Sequence, residues 1–444
     1  MASSLFTKVS RPVPFLVSRF ARKSIQDEHD EIVVGIASLA EDIDGWLPHR
    51  LISIDSCGSI DLQMSVEGMS TCYVDKMVEP IKLPRVVFGT TTLGNLFVLP
   101  SDADKSKLVE AWLNARSTQV ARTPIANSPV AISPLAIDSA GKYGAGLALE
   151  VLGRELKRLE VDPKHVLISN KLGWRRFPLR AAEPTFEPGV WLGLKHDAVQ
   201  DISYHGILRC WEEGCELLGD YTAEMLSVHD PDEYLAAATD ASDRKRRLDD
   251  ILAAYDALYD LQKQGNAQAI GIGCKDWRVV RELDRLCKFD WVMLANSFTV
   301  MSHPKELLDL MDSLASRQIP IINSAVLHGG FLSRGSSSGS SSTQTEYFDY
   351  RPMNPQEPFD AAKLAWRERF LSVCQLHSVS PFDVAVSYGL SHPGIRSIAL
   401  STSRDDRVPA LVDAATKYIP ESVWIAMIDN RLLDELPFKP TSSS

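Results

Sequence analysis

Short apolar runs alternate with longer amphipathic stretches along most of this chain, and no other feature constrains its fold as tightly. The runs are Val86-Val87-Phe88, His165-Val166-Leu167-Ile168, Met225-Leu226-Ser227-Val228, Ala269-Ile270-Gly271-Ile272, Trp291-Val292-Met293-Leu294, Ile319-Pro320-Ile321-Ile322 and 395–400. Stretches of helical period lie between them at 103–115, 147–159, 206–218, 244–264, 305–316 and 361–376. Continuous apolar strands belong to parallel sheets buried on both faces, and repeated βα units form either an open doubly wound sheet or a closed barrel. An open dinucleotide-binding sheet carries G-x-G-x-x-G after its first strand. The nearest candidates, Gly271-Ile272-Gly273 and Gly144-Ala145-Gly146, lack the third glycine and read as turns. The expected fold class is therefore α/β, a (β/α)8 TIM barrel over 83–435, with long βα-loop insertions and a poorly ordered N-terminal extension over 1–80. Catalytic residues of such a barrel lie at the C-terminal strand ends and in the loops after them.

Two insertions break the repeat. Residues 175–203 follow the third strand and include Phe177, Pro184, Phe186, Pro188 and Trp191, a composition suited to a lid or specificity loop. Residues 335–343 read GSSSGSSST, a slack tract that runs on to Tyr347-Phe348-Asp349-Tyr350. At the other end, Lys8, Arg11, Arg19, Arg22 and Lys23 precede the first acid, Asp27. That pattern is compatible with a transit peptide or a basic arm, although a cytoplasmic location is preferred.

A net charge of −11 without a basic stripe argues against a nucleic-acid partner. No apolar run approaches 18 residues, so no membrane span is expected. The seven cysteines are scattered and never spaced as C-x-x-C, which speaks for reduced thiols and no metal site.

The chemistry is concentrated at three consecutive strand ends. The second strand leads into Asp138-Ser139-Ala140-Gly141-Lys142-Tyr143, delivering a carboxylate and a phenol to one rim. The third ends in Ser169-Asn170-Lys171 and the fourth in Val228-His229-Asp230. A barrel brings these ends to a single pocket. Together they answer a proton problem attached to hydride transfer. A free phenol, with a pKa near ~10, is a poor base at neutral pH, and a neighbouring ammonium favours the phenolate. Asp138 can hold Lys171, and His229 can hydrogen-bond a substrate oxygen.

This set, on βα repeats without Rossmann glycines, resembles the aldo-keto reductases from about Leu83 to about Ala415. Val87-Phe88-Gly89-Thr90-Thr91-Thr92-Leu93-Gly94-Asn95 looks like that family's first strand and the loop beside the nicotinamide. Tyr143-Gly144-Ala145-Gly146 and Asp201 to Arg209 look like two of its helix entries. Within the family, the insertion after Lys171, the motif from Asp201 to Gly206 and Asp349-Tyr350 most resemble the branch of D-threo-aldose 1-dehydrogenases (L-fucose dehydrogenases) and pyridoxal 4-dehydrogenases. The resemblance implies an NAD(P)-dependent oxidoreductase acting on a small-molecule substrate, an aldose or a pyridoxal-like ring, that oxidises an anomeric hydroxyl or similar cyclic hemiacetal to a lactone. Tyr143 would be the acid or base, and Asp138, Lys171 and His229 its partners. It further implies cofactor contacts from Gly89, Thr90, Asn296, Ser324, Ser401, Thr402 and Arg407.

Some positions depart from the family. Gly273-Cys274-Lys275 stands where many members carry Ser-Asn to hold the carboxamide, so Asn296 could serve instead, or simply cap a helix. Asn323-Ser324 lacks the aromatic that stacks on the nicotinamide in many members. Ser401 replaces a lysine of strongly NADP-specific members, while Arg404 and Arg407 remain; an adenosine 2'-phosphate needs such cations, so NAD is favoured over NADP. Two other readings stay open: a cofactor-binding regulatory subunit with little turnover, and a glycosidase built on Asp138 and Asp230. Oligomeric state has no readable signal.

Overall fold

The computed structural model describes residues 53–54, 60–61, 81–122, 134–333, 347–349 and 351–435. The chain divides into two compact units, Met1–Val78 and Glu79–Ser444. Of the first unit, the described part is one antiparallel pair, Ser53–Ile54 with Ile60–Asp61. Apart from that pair, residues 1–80, with their expected poor order and the basic N-terminal stretch, lie outside the described residues, as does the Ser/Gly tract.

In the second unit eight strands close into a parallel barrel: β1 Val86–Gly89, β2 Leu135–Ala140, β3 Val166–Leu172, β4 Met225–His229, β5 Ala269–Cys274, β6 Trp291–Ala295, β7 Ile321–Ser324 and β8 Ile395–Leu400. The expected (β/α)8 fold is the observed one. Helices pack outside it: α1 Asp102–Arg122, α2 Leu147–Arg158, α3 Tyr204–Leu218, α4 Ala241–Lys263, α5 Trp277–Leu283, α6 Lys305–Ser316, α7 Pro358–Leu376 and α8 Pro381–Gly389. Two further helices, Val408–Ala414 and Glu421–Asp429, follow β8.

Local chemistry explains the boundaries. Ser101 and Asp104 exchange hydrogen bonds at the start of α1, Ser101 Oγ accepting from Asp104 N at 3.2 Å and Asp104 Oδ2 from Ser101 N at 3.3 Å. Ser203 Oγ accepts from Gly206 N at 2.9 Å to cap α3. Phe88 stacks on Trp112 with centroids 5.6 Å apart, which seats α1 on β1.

The barrel interior has two levels. Below, Val87, Ala136, Leu167, Met225, Ala269, Trp291, Met293 and Ile322 form an apolar plug, joined by Ile81 and Leu83 from the segment before β1. Burying each large side chain of this kind is worth about 1.5–3 kcal/mol. Above, the period-two alternation of the same strands brings in Gly89, Asp138, Lys171, His229, Gly273, Ala295, Ser324 and Ser401. Polar residues therefore occupy one arc of the mouth and small ones the other.

The insertion after β3 is more ordered than its composition indicates. Trp174–Pro178 and His196–Gln200 pair as an antiparallel hairpin, from Trp174 opposite Gln200 to Pro178 opposite His196. Phe186, Trp191, Leu194 and Ala198 make its core with Ala145. Backbone bonds from Phe97 N to Val190 O (2.9 Å) and from Leu192 N to Asn95 O (3.1 Å) fasten it to the loop after β1.

Candidate functional site

The C-terminal mouth brings together all four residues singled out from the sequence. Asp138 lies inside β2, opposite Gly89 of β1 and Ser169 of β3. Lys171 Nζ reaches both carboxylate oxygens of Asp138 at 2.6 Å and Ser139 O at 3.2 Å. Ser169 Oγ adds a hydrogen bond to Asp138 Oδ1 at 3.3 Å. Both members of this ion pair are buried.

Tyr143 stands in the turn between β2 and α2. Gly144, at φ 62°, lets this turn press on the loop after β1; a Cβ there would lie 2.4 Å from Gly94 O. The Tyr143 ring stacks on Trp191 of the insertion at 6.0 Å and meets the His229 ring edge-on at 5.6 Å. Lys171 Nζ lies 4.8 Å from the centre of the Tyr143 ring. The ammonium thus sits between the carboxylate and the phenol.

His229 is the last residue of β4 and is buried. Burial, and then the ammonium groups of Lys171, Lys142 and Lys275, hold its pKa well below the ordinary 6.5. The imidazole is therefore neutral at physiological pH, and its Nδ1 has no hydrogen-bond partner among the described residues.

A stability effect follows from that depressed pKa. Below 6.5 the unfolded chain binds a proton that the folded chain refuses, so this contribution is complete above that pH and is lost as pH falls. A His229→Gln variant should therefore lose less stability than the parent between pH 6.5 and pH 5, by up to about 1.4 kcal/mol per unit of pH. Urea unfolding across this range measures it, and parallel curves for the two proteins would contradict it.

A charged cluster beside His229 was not anticipated. Lys142 Nζ, from the residue preceding Tyr143, lies 2.8 Å from Glu187, 3.1 Å from Glu233 and 3.5 Å from Asp230. Lys275 pairs with Glu233 and, at 3.1 Å, with Asp230. Its signal in the sequence was faint, because charges on loops usually mark solvated surface. Lys142 and Lys275 are instead packed at the pocket.

The residues expected at the cofactor are placed unevenly. Thr90 is fully buried, and its hydroxyl bonds Asp138 O at 3.0 Å and Ser139 Oγ at 2.9 Å, bracing β2 against β1. Gly89 faces Ser401: a Cβ added at Gly89 would lie 3.4 Å from Ser401 Cβ. Asn296 caps no helix. It sits in a left-handed turn at φ 57° directly after β6, with α6 beginning only at Lys305, and its buried Oδ1 has no partner among the described residues. Asn323 and Ser324 are the last two residues of β7. Ser324 Oγ bonds Leu294 O at 3.2 Å, and Asn323 Nδ2 bonds Phe298 O and Gly389 O at 2.9 and 2.8 Å. Thr402 O accepts from Thr92 Oγ1 at 3.2 Å. Arg407 is exposed in the turn Asp405–Arg407, while the Arg404 guanidinium is engaged bidentately by Asp406 at 3.0 and 2.5 Å.

Asp138 and Asp230, the pair considered for a glycosidase, are both held by ammonium groups in ion pairs. That arrangement differs from an acid and a base flanking a scissile bond. Among the described residues, no group of three or more His, Cys, Asp or Glu could hold a metal, and no helix is long and apolar enough to cross a membrane.

The aldo/keto reductase family model matches residues 85–429. The chain is 23% identical over 362 residues to a pyridoxal 4-dehydrogenase of Microbacterium luteolum, covering 78% of this chain and 93% of that protein. It is 24% identical over 361 residues to a D-threo-aldose 1-dehydrogenase of a Pseudomonas species, covering 80% and 95%. Among solved structures it resembles a glycerol dehydrogenase of Gluconobacter oxydans, with a TM-score of 0.55, 16% identity, and coverage of 83% of this chain and all of the other. A holo aldo-keto reductase of Bacillus halodurans gives 0.53, 17%, 81% and 95%. Those two likenesses concern the fold, but the family match spans the barrel and its mouth alike: the chain belongs to the aldo/keto reductase family, whose members use NAD(P)H.

Proposed function

We propose that this oxidoreductase moves a hydride between a nicotinamide and the hydroxyl or carbonyl of an aldose or similar ring-shaped hemiacetal, converting sugar to lactone in the oxidising direction, with Tyr143 as acid and base. The observation that carries the reading is the position of the Lys171 ammonium, clamped by Asp138 and 4.8 Å from the Tyr143 ring. A cation there favours the phenolate over the phenol. In oxidation the Tyr143 oxygen takes the substrate's hydroxyl proton, and in reduction it returns a proton to the carbonyl oxygen. Asp138 keeps Lys171 in place. His229, neutral, donates an N–H to the substrate oxygen and orients it without adding charge.

The residues present fit a nicotinamide. The buried, unpartnered Asn296 Oδ1 matches the amide donor of a carboxamide, and Gly89, Ala295, Ser324 and Ser401 leave room for a flat ring. When bound, the nicotinamide supplies or accepts the hydride. Thr402 and Arg407 would lie toward the adenosine. With Arg404 engaged by Asp406, and Ser401 in place of a lysine, the reading favours NAD over NADP. The relatives' names, together with Trp191 beside Tyr143, support an aldose or pyridoxal-like substrate. The free cysteines among the described residues suit the cytoplasm.

Titration with NAD and NADP, followed by an oxidative screen of aldoses and pyridoxal, tests the reading. The expected result is binding of NAD at least about tenfold tighter than NADP, a difference of about 1.4 kcal/mol, and turnover of a ring substrate. Failure to bind either coenzyme would refute it, and tight binding without any turnover would favour a regulatory subunit.

A further inference from the structure

One oxygen of Asp230 is contested by three nitrogens. Asp230 Oδ2 lies 3.1 Å from Lys275 Nζ, 3.5 Å from Lys142 Nζ and 3.6 Å from His229 Nε2. Lys275 holds the short contact, and the imidazole is the farthest of the three. Asp230 is itself held in an uncommon backbone state, φ 48° for a residue with a side chain, between the end of β4 and the helix Pro231–Ala236. Such strain persists where the surroundings over-determine it, and it concentrates at functional sites. Lys142 is steadied in turn by Glu187, whose other carboxylate oxygen accepts from the Trp191 indole N–H at 2.6 Å. A connected set of contacts therefore runs from the insertion through Glu187 and Lys142 to the residue beside His229.

Resting on the function proposed above, we infer that Lys142 and Lys275 are positioning residues that occupy the Asp230 carboxylate and so leave the His229 imidazole free for a substrate oxygen. If one ammonium is removed, a small rotation brings the carboxylate to Nε2. A carboxylate–imidazole hydrogen bond then competes with substrate and stabilises the imidazolium. Every charged group near the ring enters this balance. Lys171 on β3, Lys142 after β2 and Lys275 after β5 oppose the imidazolium. Asp230 and Glu233 favour it, Tyr143 meets the ring edge-on, and Glu187 acts only through Lys142. The insertion thereby helps keep the imidazole available, though it touches the ring through none of these contacts.

The test uses Lys275→Met in the full-length protein, since Lys275 is 34% exposed at its side chain and its loss leaves Lys142 on Asp230. The pH profile of kcat/KM is compared for the parent, Lys275→Met and Lys275→Met/Asp230→Asn. The single variant should move the acid limb up by about one pH unit, so that kcat/KM on the limb, below the parent's own midpoint, falls about tenfold and matches the parent by about pH 8. The double variant, lacking the captured carboxylate, should return the limb to the parent position. In parallel, 15N NMR of the imidazoles, with His229 assigned by its loss in His229→Gln, should show its titration moving up in the single variant and back in the double. Unchanged limb and imidazole signal in Lys275→Met, or a double variant no different from the single, overturns the inference. A parent protein without turnover refutes the proposed function instead, and the NMR titration still decides the positioning role.

Discussion

Replacing Tyr143 with Phe is expected to reduce kcat by about 10²–10⁴-fold while leaving coenzyme affinity within about twofold. The change removes the phenolic oxygen and keeps the ring. The ring keeps its stack on Trp191, its edge contact with His229 and its place 4.8 Å from the Lys171 ammonium. These ring contacts are therefore kept in the variant. What disappears is the atom proposed to exchange a proton with the substrate. Isothermal titration with NAD, paired with steady-state rates on the best substrate, separates the two effects. Near-normal turnover by the Phe variant would remove Tyr143 from the reaction. A parallel loss of coenzyme binding would make it a structural residue instead.

Much of this site was legible because a barrel converts sequence order into position. Asp138, Lys171 and His229 sit near the ends of consecutive apolar runs, and parallel strands of a closed sheet bring consecutive ends side by side. The helix starts were readable for local reasons, such as Ser203 three residues before Gly206. The parts that escaped depend on contacts between distant segments. The Lys142–Glu187 pair joins two loops 45 residues apart, and no periodicity announces it. The hairpin of the insertion escaped as well, because Pro184 and Pro188 mask the two strands that flank them. α8 is only nine residues long and was too short for a periodic signal. Gly273 looked like a defect beside Cys274 and Lys275, a lost carboxamide contact. In the fold it is a space: a Cβ there would lie 2.7 Å from Lys171 Cδ, so the glycine admits the lysine stem.

The other large effect expected is at that cation. Lys171→Met preserves the volume of the stem but leaves Asp138 buried with a hydrogen bond from Ser169 in place of an ammonium. Breaking a buried ion pair from one side costs about 3–5 kcal/mol, because an uncompensated charge stays behind. Unfolding in denaturant should show a loss of that size at neutral pH. Activity should fall by about 10²–10⁴-fold, since Tyr143 is then a phenol with no cation to favour its ionised form. Stability and chemistry can be separated by adding Asp138→Asn. Asn removes the stranded charge and can still accept from Ser169 Oγ, so the double variant should regain most of the lost stability. It should regain none of the activity, because the group proposed to act on Tyr143 is the ammonium and not the carboxylate that holds it. If turnover returned together with stability, Lys171 would be a structural brace for the mouth of the barrel, and Tyr143 would have to find its proton partner elsewhere.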